Sequence, residues 1–318
     1  MAEIGGTMLS QLEEKPVLLL DGGMGRELHF RGVEVPETIW SAASLLSAPE
    51  VVQQIHQDFI EAGADIITTN TYGVIASDLT RVGLGKRFKE LNELACTLAA
   101  HAIKSTGKKV AIAGSLPPLR GSYRPDLVGP LDEIEVLYDE QAAILTPHVD
   151  LLICETMSSG REALAAARAA CKTGKPVWIA WALSEDRPAT LRSGETIEDA
   201  IQLVADLPVS GYLGGCSAPE SITSLIPRLA STGKRWFGGY ANTFTSIPKD
   251  WELNGNKESD GLLRYRDDLT PLQYGRHAAD WLEKGATVVG GCCGTRPAHI
   301  AEIRRLIDAS GLTGYLNP

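Results

Sequence analysis

A closed (β/α)8 TIM barrel is the fold this sequence predicts, and three observations carry the expectation. Apolar runs of strand length alternate with helix-period patterns from one end of the chain to the other, as the βα units of a parallel sheet do. The alternation repeats eight times, which suits one closed barrel better than two smaller doubly wound domains. No linker divides the 318 residues, so residues 1–318 are expected to form a single barrel domain.

The first strand is expected over residues 16–21, followed by a long connection and a helix over 49–62 that sets Val52, Ile55 and Phe59 on one face. Strand two falls at 65–69 with a helix over 88–103, strand three at 110–113 with a helix over 131–146, and strand four at 149–154 with an alanine-rich helix over 161–171. Strand five spans 177–182, and Thr196 with Asp199 forms a loose capping box for the helix after it. Strand six covers 211–215 with a helix over 221–229, strand seven 235–240 with a helix over 271–284, and strand eight 287–291 with a closing helix over 297–307. The stretches 117–130 and 242–270 are rich in Gly, Pro, Asn and charge and follow strands, where long loops become lids over the active face or tolerated insertions.

Composition narrows the function. Lys and Arg total 30 against 40 Asp and Glu, a net charge of −10, and neither nucleic acid nor an anionic membrane surface is captured without a basic footprint. A small-molecule partner is favoured. No apolar stretch approaches the roughly 18 residues of a membrane span, and residues 1–16 carry acidic groups with no hydrophobic signal region, so a cytoplasmic location is expected. Six cysteines in so long a chain do not make a disulfide framework, and Cys292 and Cys293 are adjacent, which turns attention to metal or thiol chemistry.

In a barrel of this kind the working residues stand at the C-terminal ends of strands. Those ends supply Asp21, Asn70, Tyr72, Ser115, Glu155, Trp181, Cys216, Tyr240, Asn242, Cys292 and Cys293. Cys96, Cys154 and Cys171 lie within helices or a strand and read as small buried hydrophobes. Cys216 after strand six and the Cys292–Cys293 pair after strand eight can converge at the barrel mouth, where three thiolates would hold one Zn2+ and leave its fourth position open to substrate. A redox role for the vicinal pair stays open beside it. No histidine ends a strand, since His148 precedes strand four and His299 lies in the last helix, which argues against a Ser-His-Asp hydrolase. Lys109 and Lys175 precede their strands, which argues against a Schiff-base lyase.

Four segments sharpen this: Leu20-Asp21-Gly22-Gly23-Met24-Gly25, Leu152-Ile153-Cys154-Glu155-Thr156, Gly214-Gly215-Cys216-Ser217 and Gly290-Gly291-Cys292-Cys293-Gly294. In this order, and over nearly the whole chain, they make the sequence resemble the homocysteine S-methyltransferase family, whose relatives include betaine–homocysteine methyltransferase and the homocysteine module of cobalamin-dependent methionine synthase. The resemblance implies Zn2+ on Cys216, Cys292 and Cys293, homocysteine as methyl acceptor, and Asp21 and Glu155 at the homocysteine ammonium. Gly22 and Gly23 would offer backbone N–H groups to its carboxylate. Onium donors are attracted to aromatic faces, which puts Trp40 and Tyr72 first, then Trp181 and Tyr240, as donor contacts. The donor expected first is S-methylmethionine, because the chain carries neither the further modules of the cobalamin enzyme nor the long C-terminal extension of the betaine relatives; betaine, S-adenosylmethionine and a selenium acceptor are the alternatives. The sequence departs from the usual pattern at Arg26 and Arg296, where Thr is common, and at Gly215, where Asn often precedes the first ligand.

Overall fold

The structure is a computed structural model, and it describes residues 12, 14–35, 38–248 and 264–311. Eight parallel strands form one sheet: β1 (Leu18–Leu19), β2 (Ile66–Thr68), β3 (Ala111–Leu116), β4 (Leu151–Met157), β5 (Val177–Trp181), β6 (Gly211–Gly215), β7 (Trp236–Ala241) and β8 (Val288–Gly291). Consecutive strands from β2 to β8 pair in order, and β1 pairs with β8. The ring is completed between β1 and β2 by a single parallel bridge, Leu20 to Ile66. Side chains reinforce this thin seam: Asp65 Oδ2 accepts from Leu19 N–H at 2.9 Å, and Asp21 Oδ2 accepts from Thr68 N–H at 2.8 Å. The (β/α)8 barrel read from the sequence is the fold.

Period-two alternation divides the strand residues between two cores. Leu18, Leu20, Ile66, Ala111, Ala113, Leu151, Ile153, Trp178, Ala180, Leu213, Trp236 and Val288 pack inside the barrel. Their neighbours, among them Leu19, Ile67, Leu152, Ile179, Trp181 and Val289, face the helices. Trp178 and Trp236 plug the lower interior with ring centroids 6.0 Å apart. Val52, Ile55 and Phe59 of the helix Pro49–Glu61 are fully buried, each such side chain stabilising the fold by about 1.5–3 kcal/mol.

Strand and helix positions agree with the sequence reading to within a few residues, with instructive departures. β1 is shorter than expected, while β3 and β4 run on to Leu116 and Met157 and carry their ends into the mouth. Thr196 caps its helix, accepting from Asp199 N–H at 3.1 Å. The long connection after β1 holds the helices Met24–Phe30 and Ser44–Ser47 and a 3-10 turn Trp40–Ala43, and the connection after β2 holds the helix Ala76–Arg81. All are short and lack a side-chain N-cap, the signal that marks a helix start in a sequence. Residues 249–263 of the second lid candidate lie outside the described residues; an antiparallel bridge between Phe244 and Tyr265 joins the parts on either side. No helix among the described residues is long and apolar enough to cross a membrane.

Candidate metal centre and pocket

Cys216 follows β6 directly, and Cys292 and Cys293 follow β8, so β7 lies between the two turns. The end of β7 ties both down. Cys216 N–H donates to the Tyr240 carbonyl at 3.0 Å, Cys292 N–H to the Ala241 carbonyl at 2.9 Å, and Thr243 N–H to the Cys293 carbonyl at 2.9 Å. Asn242 Nδ2 donates to the Cys216 carbonyl at 2.9 Å. From the helix Pro271–Glu283 the Tyr274 hydroxyl accepts from Ala241 N–H at 2.9 Å and donates to the Gly290 carbonyl at 2.7 Å. Gly23 lets the β1 turn lie flat on this segment, since a Cβ there would stand 2.7 Å from the Cys292 carbonyl oxygen.

The three thiols are free, and their sulfurs lie within 4.8 Å of one another. Cys216 Sγ is 3.6 Å from Cys293 Sγ and 2.7 Å from Cys292 Sγ. Sulfurs sharing a tetrahedral ion at about 2.3 Å each are about 3.8 Å apart, so the Cys293 separation fits one and the Cys292 pair opens by about 1 Å to receive it. The cluster can therefore hold a metal ion, and its donor set is all sulfur. The Tyr123 hydroxyl donates to Cys216 Sγ at 2.9 Å. Tyr123 comes from the 117–130 stretch, so that loop reaches into the site.

A cavity of about 130 Å³ opens above the cluster, lined also by Asp21, Gly22, Trp40, Tyr72 and Glu155. All five substrate candidates thus meet the cysteines in one place. Asp21 is buried and Glu155 half-buried. Burial pushes Asp21 up to about 8; hydrogen bonds from Thr68 oppose the shift and repulsion from the neighbouring Glu155 adds to it. Burial likewise raises Glu155, which accepts hydrogen bonds from the Ser115 hydroxyl and, at 3.0 Å, from the Tyr240 hydroxyl. A register shift after Cys154 and a φ of 57° at Thr156 turn the end of β4. Among the described residues five non-glycine residues have positive φ, and Trp40, Tyr123, Thr156 and Cys216 of these line this cavity, so backbone strain concentrates at the site.

The aromatic candidates divide. Trp40 and Tyr72 line the cavity, with the Tyr72 hydroxyl 2.6 Å from Ser122 Oγ. Tyr240 lines it too, its hydroxyl held by Glu155. Trp181 does not reach it: on β5 it shares the parity of Ile179, faces the helices, and packs on Tyr212 at 5.3 Å. Of the two expected backbone donors, Gly23 N–H already donates to the Thr295 carbonyl at 3.3 Å. The other expected cysteines behave as packing residues, Cys96 and Cys154 buried and Cys171 half-buried.

Two of the departures have structural partners. Gly215 leaves room for Tyr240, whose ring carbon Cζ would lie 2.8 Å from a Cβ at that position. Arg296 stands outside the cavity lining and clamps the turn after the cysteines to the first helix, its Nε 2.8 Å from Glu27 Oε2. Sequence reasoning missed Tyr123, Phe244, Ser122 and Thr68. Only the Gly- and Pro-rich setting of the loops pointed toward the first three; Thr68 carried no signal beyond its place at a strand end.

Known proteins place this architecture. The family model described as homocysteine S-methyltransferase matches residues 18–307. The chain is 28% identical over 314 residues to homocysteine S-methyltransferase YbgG of Bacillus subtilis, covering 92% of this chain and 95% of that one. It is 27% identical over 330 residues to a selenocysteine methyltransferase of Astragalus bisulcatus, covering 92% of each. Among solved structures, the metallated form of the homocysteine methyltransferase MmuM from Escherichia coli superposes with a TM-score of 0.78 at 25% identity, covering 93% of this chain and 98% of that one. The match in sequence, fold and length leads to one conclusion: the chain belongs to the homocysteine S-methyltransferase family.

Proposed function

We propose that this chain moves a methyl group from a small sulfonium donor, S-methylmethionine first, to the thiolate of L-homocysteine, forming methionine, with Zn2+ held by Cys216, Cys292 and Cys293. The observation that carries the reading is the meeting of three thiols, from the ends of β6 and β8, in a cavity that also holds a buried carboxylate, Asp21, and a half-buried one, Glu155. An all-sulfur donor set selects Zn2+ among the common divalent ions, and three protein ligands leave a place for the substrate sulfur. The ion would keep that sulfur ionised at neutral pH, where a free thiol titrating near 8.5 is mostly protonated.

The chain's own residues do the rest. Asp21 and Glu155 receive the homocysteine ammonium, which relieves the cost of holding two acids side by side. The Tyr123 hydroxyl, donating to Cys216 Sγ, spreads the negative charge of the sulfur cluster. Tyr72 offers its face to the onium centre, and Trp40, whose ring also meets the Arg26 guanidinium, lines the cavity beside it. A lone pair on the homocysteine sulfur forms the new S–CH3 bond, the old C–S+ bond breaks with its electrons returning to the leaving sulfide, and the thiol proton passes to solvent. No general acid is needed. The reading takes residues 1–318 as one homocysteine-binding barrel domain and includes a cytoplasmic location, where free thiols persist.

The test combines metal analysis with turnover. Purified protein is assayed for bound zinc and for methyl transfer from S-methylmethionine, betaine and S-adenosylmethionine to homocysteine and to selenocysteine, the last because a selenocysteine methyltransferase is among the relatives. About one zinc per chain, lost in Cys216→Ser together with methionine formation, is the expected result. Active zinc-free protein, or folded metal-loaded protein inert toward every donor, refutes the reading; reversible oxidation of Cys292 and Cys293 that alters a partner's binding without turnover would make it a thiol sensor instead.

A further inference from the structure

The wall of the cavity contains a cation inside an aromatic cage, and the cation belongs to the chain. Arg26, on the helix Met24–Phe30, is 3% exposed yet lines the cavity. Its guanidinium carbon lies 5.4 Å from the ring centroid of Trp40, 5.1 Å from that of Phe244 and 5.4 Å from that of Tyr265. The cage is fitted to the backbone around it. A Cβ on Gly25 would collide with the Trp40 indole, and one on Gly294, where φ is 83°, would stand 2.7 Å from a Tyr265 ring carbon.

Three ring faces hold a positive charge by their quadrupoles and keep water from it, and in such surroundings a carboxylate is the strongest partner a guanidinium can take. Among the described residues lining the cavity, Arg26 is the only Lys or Arg, set against Asp21 and Glu155. Those charges suit a zwitterion, with the ammonium at the acids and the carboxylate at the arginine. A cation lacking a carboxylate is still drawn to the acids but gains nothing from the caged guanidinium.

We propose that Arg26 is the carboxylate receptor of this pocket and restricts it to substrates that carry an amino-acid carboxylate. The inference rests on the methyl-transfer reading. Acceptor and donor can both supply the group, and the experiment separates them. Metal-loaded wild type and Arg26→Gln are compared on two substrate pairs: homocysteine against 3-aminopropane-1-thiol with the donor fixed, and S-methylmethionine against (3-aminopropyl)dimethylsulfonium with the acceptor fixed. Product is read by mass spectrometry and affinity by calorimetry, with melting temperature and zinc content as folding controls. Wild type should prefer the carboxylate-bearing member of at least one pair by about tenfold or more, as a charged hydrogen bond allows. In Arg26→Gln that preference should fall to about threefold or less, and the pair in which it falls names the source. Arg26→Lys, which keeps the charge without the fork, should retain part of it and serves if the glutamine variant does not fold. Preferences unchanged in both pairs overturn the proposal, whereas wild type inert with homocysteine and S-methylmethionine overturns the methyl-transfer reading instead.

Discussion

Asp21 offers a test in which the pH dependence is set by burial. Its carboxyl sits at 5% exposure and titrates at about 8 in the substrate-free protein. An ammonium ligand needs the ionised form, so binding at lower pH must first drive a proton off. Taking a pKa of about 8, the ionised fraction rises from about 3% at pH 6.5 to about half at pH 8. Affinity for an amino-acid ligand should then climb about 16-fold over that window, roughly 1.6 kcal/mol. The sign runs opposite for folding: the native state holds a proton between about pH 4 and 8 that the unfolded chain has lost, so this group's contribution to stability declines as pH rises through that range. L-Methionine is the ligand of choice, because its sulfur adds no titration. Calorimetry in buffers of different ionisation enthalpy should show about one proton released per methionine bound at pH 6.5, declining toward pH 8 and above, and Asp21→Asn should abolish most of the release. Affinity flat from pH 6.5 to 8, or proton release undiminished in Asp21→Asn, would refute Asp21 as the ammonium receptor.

Removing the Tyr123 hydroxyl in Tyr123→Phe takes a buried donor from Cys216 Sγ, and zinc affinity measured by chelator competition should fall about 10- to 100-fold, as for other outer partners of metal ligands; an unchanged affinity would make the contact incidental. His56 is fully buried, neither ring nitrogen has a hydrogen-bond partner, and burial lowers it to about 4. The unfolded chain therefore takes the proton first, so stability present above about pH 6.5 is lost as pH falls toward 4. Between pH 8 and 5 that amounts to about 2 kcal/mol, visible in urea melts of wild type and absent from His56→Leu. Parallel pH dependences in the two proteins would count against it. Chelation should lower the melting temperature of wild type and leave Cys216→Ser unmoved, because an ion bound only by the folded state adds to its stability.

Much of the barrel was legible because its signals are local and repeated. The eight strands read as buried apolar runs, and the long helices announced themselves through stripes such as Val52, Ile55 and Phe59. The cysteines were legible for another reason: in a barrel, any strand end is near every other, so residues 216, 292 and 293 needed only the right strands to be neighbours. Trp181 shows where that logic was incomplete. A strand end supplies residues to both faces, and counting parity from Ile179 would have sent Trp181 outward and Glu155, in step with Leu151 and Ile153, inward. Tyr123, Phe244 and Tyr265 were hidden because loops have no period; what positions them is a φ of 65° at Tyr123 and a bridge between Phe244 and Tyr265. Arg26 was visible as a departure, but its cage depends on rings more than 200 residues away.

The joint between β1 and β2 has a consequence for motion. Seven of the eight junctions in the hoop are laced by strand ladders, while the eighth hangs on the Leu20 bridge and on two aspartate side chains. One of those, Asp21, faces the cavity. A ligand drawing charge onto that carboxylate would strengthen its grip on the Thr68 amide, so occupancy of the pocket would act as a buckle on the loosest stave. Hydrogen exchange at Thr68 is the place where that tightening would register first.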